Sequence, residues 1–196
     1  MKLDLVTAPT VEPLTATEAK AHLRVDYSTD DTLIASLIVA AREYVEQITG
    51  RALLTQTWDL FLDRFSGREI DIPCSPLISV TSVKYIDTAG SEQTLSTDDY
   101  TVRTYSSHYG EVGLNFDADW PSTRRIEDAV YIRFVAGYGA TSASVPQAIR
   151  QAMLMLVGHW YENRESVVIG GRITATEVPM AVTALLQPHR TFHVNA

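Results

Sequence analysis

Several places in this chain hold residue types that could do chemistry. His159 and Glu162 lie three apart in a helical pattern, a spacing that puts both side chains on one helix face, as helix-borne metal sites require. Two ligands do not hold a metal, and no second such pair exists; His22, His108, His189 and His193 are spread through unrelated segments. Cys74 is the single cysteine. It sits between two prolines in I-P-C-S-P, which reads as a turn at a strand end and not as an activated thiol. Gly137-Tyr138-Gly139 stands between a strand and a helix, where backbone amides could cradle a phosphate. It lacks a third glycine in register and the Gly-Lys-Ser/Thr of a phosphate loop. Asp117 and Asp119 flank Ala118 as half of a carboxylate site would, without a partner motif. No Gly-x-Ser-x-Gly elbow is present. Trp58, Trp120 and Trp160 could stack sugars or bases, but each lies in an apolar pattern and reads as core. The expectation is a protein with no catalytic centre, no metal and no cofactor.

The elements that would position these residues are legible from their periods. Thr15-Ala16-Thr17-Glu18 is a capping box, opening a short helix that runs to about Arg24. Ser28-Thr29-Asp30-Asp31 starts a second helix, its aspartates at the positive end of the dipole. Leu33, Ile34, Leu37, Ile38, Ala41, Val45 and Ile48 recur at helical spacing, and Gly50 stops the run. From Thr55 the period becomes two. Strands are predicted at Trp58–Leu62, Ile70–Ile72, Ile78–Ile86, Gln93–Leu95, Tyr100–Tyr105, Val112–Phe116 and Val130–Val135, enough for a small antiparallel sandwich or barrel. Ser144-Val145-Pro146 opens a third helix. Gly170-Gly171 marks a loop, and Pro179 begins a short helix that Pro188 ends.

The third helix, Val145–Tyr161, is apolar almost all round. Ile149, Met153, Leu156, Val157 and Trp160 form one face; Leu154, Met155 and Tyr161 cover much of the other. A surface helix needs one apolar stripe only. Two such faces predict burial on both sides, either inside one core or against a second copy of the chain.

Composition bounds the rest. The 196 residues, 45% apolar and 20% charged, are ordinary globular values. No apolar run reaches the ~18–20 residues of a membrane span, and the N-terminus lacks a secretory signal. A single cysteine excludes an internal disulfide and fits a reducing compartment. A net charge of −8 argues against a basic footprint for nucleic acid.

The order and spacing of six segments resemble the tailed-phage head–tail connector (adaptor) family, also found in prophages and gene transfer agents. They are L-T-A-T-E-A-K-A-H-L-R-V-D from Leu14, D-D-T-L-I-A-S-L-I-V-A-A-R-E-Y-V-E-Q-I-T-G-R-A-L from Asp30, T-Q-T-W-D-L-F-L-D-R-F from Thr55, S-V-T-S-V-K-Y-I-D from Ser79, R-F-V-A-G-Y-G from Arg133, and V-P-Q-A-I-R-Q-A-M-L-M-L-V-G-H-W-Y-E-N-R-E from Val145.

The resemblance implies an α+β protein: a helical adaptor core of two N-terminal helices plus one long apolar helix, an inserted antiparallel β-subdomain and an extended C-terminal tail. The division expected is residues 1–13 as an N-terminal arm, 14–54 and 141–165 as the two parts of the helical core, 55–140 as the β-subdomain, and 166–196 as loop and tail. It further implies a homo-oligomeric ring, usually of twelve copies, beneath the portal protein. Such a ring extends the channel for double-stranded DNA, without sequence-specific binding, and offers a platform to a stopper or tail-completion protein. The chain would be made in the bacterial cytoplasm, bind no membrane, and end at the head–tail junction of a virion or phage-like particle. The tail would dock on the portal through Val178, Met180, Leu185, Leu186, His189, Arg190 and Phe192. Leu37, Arg42, Met153, Met155 and Tyr161 are the ring-interface candidates, and Glu43 and Glu46 the channel-lining ones. Carboxylates on the channel would let DNA slide without sticking. Two rival readings are a non-enzymatic binding module, with Trp58, Tyr85, Tyr100, Tyr105 and Tyr109 on the β-subdomain, and a small hydrolase using Cys74 or a His–carboxylate pair.

Overall fold

Two-residue alternation of inward and outward side chains marks some of the strands of the first of two structural units. The structure, a computed structural model, describes residues 1–105, 109–163 and 179–191. The first unit comprises Met1–Thr10, Gly50–Ala140 and Thr191–Ala196. Its strands are β1 (Lys2–Thr7), β2 (Gln56–Leu62), β3 (Glu69–Ile72), β4 (Leu77–Ile86), β5 (Glu92–Thr94), β6 (Tyr100–Thr104), β7 (Gly110–Leu114) and β8 (Val130–Ala136). They pair antiparallel throughout. One sheet has the order β1-β2-β8-β4-β5 and the other β3-β7-β6.

In β8, Val130, Ile132, Phe134 and Ala136 are buried while Tyr131, Arg133 and Val135 on the other face are less so. In β3, Ile70 and Ile72 are buried between exposed Glu69 and Asp71. These inward positions join Leu60, Leu77, Val83, Leu95, Tyr100 and Val112 in one core drawn from both sheets. The other face of the larger sheet is polar and cross-linked strand to strand. Register places Lys2 beside Phe61, Phe61 beside Tyr131 and Tyr131 beside Lys84. Lys2 lies 5.1 Å above the Phe61 ring, Lys84 lies 5.7 Å above the Tyr131 ring, and Lys84 also bridges Glu92 at 2.8 Å. One pair along, Arg133 donates two bonds to Asp59, at 2.8 and 2.7 Å, the strong bidentate form of a carboxylate–guanidinium pair.

Residues 2–7, expected as part of an N-terminal arm, are instead the edge strand β1. Leu3 packs against the core but Leu5 is 46% exposed. This strand is held by its ladder with β2, 50 or more residues away in sequence, so burial leaves little mark on its local pattern.

The second unit comprises Val11–Thr49 and Thr141–Arg190. It holds α1 (Ala16–Leu23), α2 (Asp31–Thr49), α3 (Gln147–Glu162) and α4 (Met180–Leu186). The capping box forms as its sequence requires: the Glu18 amide donates to the Thr15 hydroxyl at 3.1 Å and the Thr15 amide donates to the Glu18 carboxylate at 2.8 Å. Arg24 takes the left-handed conformation that ends α1. α2 buries Ile34, Ile38, Ala41 and Val45, the stripe its spacing predicts. Arg150 from α3 donates to Glu18 and to the Pro13 carbonyl, tying α3 to the start of α1.

The Thr15 amide, with help from the Thr15 hydroxyl and Arg150, holds the Glu18 carboxyl below its ordinary value of 4.5. A carboxyl depressed by folding stabilises the fold above its unfolded pKa, and that contribution is lost as pH falls through the lower folded value. Glu18→Gln is therefore expected to destabilise near neutral pH and to flatten the acid limb of stability below about pH 4.5. Thr15→Ala is expected to cost about 1 kcal/mol. Urea titrations from pH 7 to pH 3 check both; an acid limb as steep in the Gln variant as in the parent would refute the assignment.

α3 corrects the expectation of a long helix apolar on every side. It spans 16 residues and buries one face, Ile149, Ala152, Met153, Leu156 and Val157, while Leu154, Met155, Trp160 and Tyr161 are only half-buried. The Tyr161 hydroxyl donates to Asp30 and lies 3.0 Å from the Tyr27 hydroxyl. Trp160 meets Tyr44 edge-on at 5.8 Å. Aromatic rings with a polar tip sit comfortably at a wet boundary, so counting them as fully apolar overstates the second face.

Candidate functional site

A surface that assembles must be offered outward, so exposure sorts the expected interface residues. On α2, Arg42 does not stand free for a neighbour. Its side chain is 11% exposed, donating to Glu12 at 2.8 Å and to Glu46 at 2.9 Å, with Glu43 at 3.6 Å. The surrounding carboxylates hold its pKa up against the opposing effect of burial. Glu46 is 16% exposed in that network, whereas Glu43 is 66% exposed. Glu46 is thus engaged in an ion pair within its own unit, whereas Glu43 faces water. An i,i+4 spacing from Arg42 to Glu46 was visible in sequence; the third member, Glu12, was not. Met153 is 0% exposed and offers no side-chain surface, because it belongs to the buried face of α3. Leu37, Met155 and Tyr161 are half-buried, each keeping an outward edge.

In the C-terminal segment α4 turns back on its own unit. Val182 and Leu186 are 1% exposed, so Leu186 is withdrawn from docking by internal packing. Met180, the first residue of α4, is 87% exposed. Leu185 and His189 are half-buried and Arg190 is exposed. Tyr44, Ile48, Val182, Leu186 and Arg190 line a concavity of about 290 Å³ between α2 and α4. Val178 and Phe192 lie outside the described residues.

The residues considered for chemistry fall out differently. His22 and His159, far apart in sequence, line one open concavity of about 630 Å³ with Arg24, Met155, Glu162 and Asn163. Gly158 lies beside His22: a Cβ there would stand 3.3 Å from the His22 ring. A glycine inside a helix was the one sequence signal for it. Among the described residues no group of three or more His, Cys, Asp or Glu is placed to hold a metal. Cys74 occupies a turn with a left-handed backbone, φ 61°. Gly137 has φ 132°, and a Cβ on it would lie 2.3 Å from the Leu54 carbonyl oxygen. Its glycine serves a close passage of two backbone segments, not a phosphate. Trp120 stacks on Phe65 at 4.6 Å and donates to the Gly67 carbonyl at 2.8 Å, so it is structural. Tyr105 and Tyr109 form an exposed tilted pair, ring centres 5.2 Å apart; Tyr100 is 7% exposed and belongs to the core.

The geometry therefore presents surfaces, with no metal-binding group of His, Cys, Asp or Glu among the described residues. A chain in the virion of a native gene transfer agent particle superposes with a TM-score of 0.82 at 26% identity, over 99% of this chain and 97% of that one. A chain from the neck of an empty gene transfer agent particle, computed with C6 symmetry, gives 0.81 at 26% identity with the same coverage. One from the neck of a native particle, computed with C12 symmetry, gives 0.78 at 25%. No curated protein matches. The model of the head completion protein family matches residues 12–192. With far more than half of its length inside that match, this chain belongs to the head completion protein family.

Proposed function

We propose that this chain is a structural head–tail connector, located at the neck of a phage-like particle and assembled there as a ring. The observation that carries this reading is the end-to-end likeness to a chain in a neck with twelvefold symmetry, 99% of this chain against 97% of that one. A closed ring with head-to-tail contacts asks each copy for two different surfaces. The half-buried edges of Leu37, Met155 and Tyr161 are suited to supply part of them. The role is mechanical, without catalysis. The helical unit builds the ring, and the β unit faces outward or toward the next component.

On the head side, the segment around α4 docks on the portal protein through exposed Met180, the half-buried Leu185 and His189, and Arg190, with Val178 and Phe192 continuing it. A stopper or tail-completion protein occupies the other side. Double-stranded DNA passes without sequence-specific contact, for which a chain of net charge −8 is suited, because like charge repels the phosphates. Glu43 is the α2 carboxylate best exposed to face that channel.

Two measurements test the reading. Cryo-electron microscopy of particles carrying this chain is expected to find its density between capsid and tail; density elsewhere on the particle sinks the proposal. Removing residues 179–196 is expected to reduce the amount of chain on purified heads at least about tenfold, the loss expected when an anchoring group is deleted. Undiminished binding would remove the docking assignment while leaving the ring intact.

A further inference from the structure

Of the large apolar side chains on the β unit, Phe116 is the most exposed, at 93%. A lone exposed apolar residue is by itself unremarkable. The backbone that carries this one is braced. Asn115, just before it, is held from every side: its amide donates to the Asp99 carbonyl at 3.0 Å, its side-chain nitrogen to the Asp98 carbonyl at 2.7 Å, and its side-chain oxygen accepts from Thr101 at 2.6 Å. Its own carbonyl accepts from Arg68 at 2.9 Å and from the Ala118 amide at 3.2 Å, closing a turn around Phe116 and Asp117. Beyond the turn, Trp120 is clamped by Phe65 and Gly67. The ring is therefore displayed by a braced turn whose backbone needs little ordering on binding.

The charges around it define the partner. Asp98, Asp117 and Asp119 are exposed, and none makes an ion pair with any described residue. Arg68 also adjoins the turn, where one of its nitrogens is engaged by the Asn115 carbonyl. An aromatic knob inside an acidic rim is complementary to an apolar pocket with a basic rim. Pre-organised aromatic anchors of this kind carry a large share of interface energy. A sister copy, with net charge −8, is the poorer electrostatic match.

We infer that Phe116, rimmed by Asp98, Asp117 and Asp119, is a docking knob for a basic-rimmed apolar pocket on a different protein of the particle neck. This rests on the connector reading above. The test uses assembled particles in which Phe116 is replaced by p-benzoylphenylalanine and irradiated. The expected result is a crosslink from position 116 to a different protein. A crosslink only to another copy of this chain, or none, overturns the inference. In parallel, Phe116→Asp is expected to lower the yield of complete particles at least about tenfold, with an unchanged melting temperature because the ring is exposed. Asp117→Lys combined with Asp119→Lys is expected to lower it in the same direction. Full yield from Phe116→Asp overturns the knob. If the unaltered chain is absent from particles, the connector reading itself has failed, which is a distinct outcome.

Discussion

Phe134→Ala is expected to destabilise the β unit by about 3–5 kcal/mol, the range for emptying a large core aromatic. The side chain is 0% exposed. It sits in β8, the middle strand of the five-stranded sheet, opposite Trp58 of β2 and Val80 of β4. Relaxation cannot fill the gap cheaply, since both flanking strands are fixed by ladders on either side. Against a typical domain stability of about 5–15 kcal/mol, that loss is a large fraction of the total. Equilibrium urea unfolding followed by circular dichroism measures it. Phe134→Leu is expected to cost less than half as much, because a branched side chain refills most of the volume. A cost below about 1 kcal/mol for the alanine variant would show that the two sheets do not share the core described here.

Gly137→Ala is expected to cost about 3 kcal/mol or more, for two reasons that add. Its φ of 132° belongs to glycine, and an alanine Cβ would stand 2.3 Å from the Leu54 oxygen and 2.4 Å from its carbon. Those are backbone atoms, so the strain cannot be relieved by turning a side chain. The Gly137 amide also donates to the Pro76 carbonyl at 2.9 Å, which a shift of this segment would break. Gly158→Ala is the matched control. There the nearest atom is a flexible imidazole at 3.3 Å, and alanine gains up to about 1 kcal/mol of helix propensity over glycine. The two substitutions are expected to separate clearly in thermal unfolding; equal effects would mean that Gly137 is kept for something other than backbone contact.

Gly137 also illustrates how far the sequence reaches. Its position between a strand and a helix was legible, and the missing Lys-Ser/Thr already argued against phosphate. That the glycine exists to let residues 53–55 pass was not legible, since the partner lies more than 80 residues away. The connector resemblance came from the order of several segments and agrees with the family match over residues 12–192. Individual site residues fared less evenly. Of the ring-interface and channel-lining candidates, Met153 is buried within its own unit, and Arg42 and Glu46 are engaged in an ion-pair network with Glu12. Met180 and Glu43 do face water.

What the sequence determined by itself was local and periodic. The Thr15–Glu18 capping box, the α2 stripe ending at Gly50 and the two-residue alternation of β2, β3 and β8 each need only neighbours a few positions away. Tertiary structure decided everything that depends on a distant partner: β1 as a strand, which side of α3 is buried, the company Arg42 keeps, the placing of His22 and His159 on one concavity, and the bracing of the turn at Phe116. Local preference is fixed by backbone sterics and short-range hydrogen bonds, and these are written in consecutive residues. Burial and pairing are set by which surfaces meet once the chain has folded, and two helices of equal apolar content can meet different fates there.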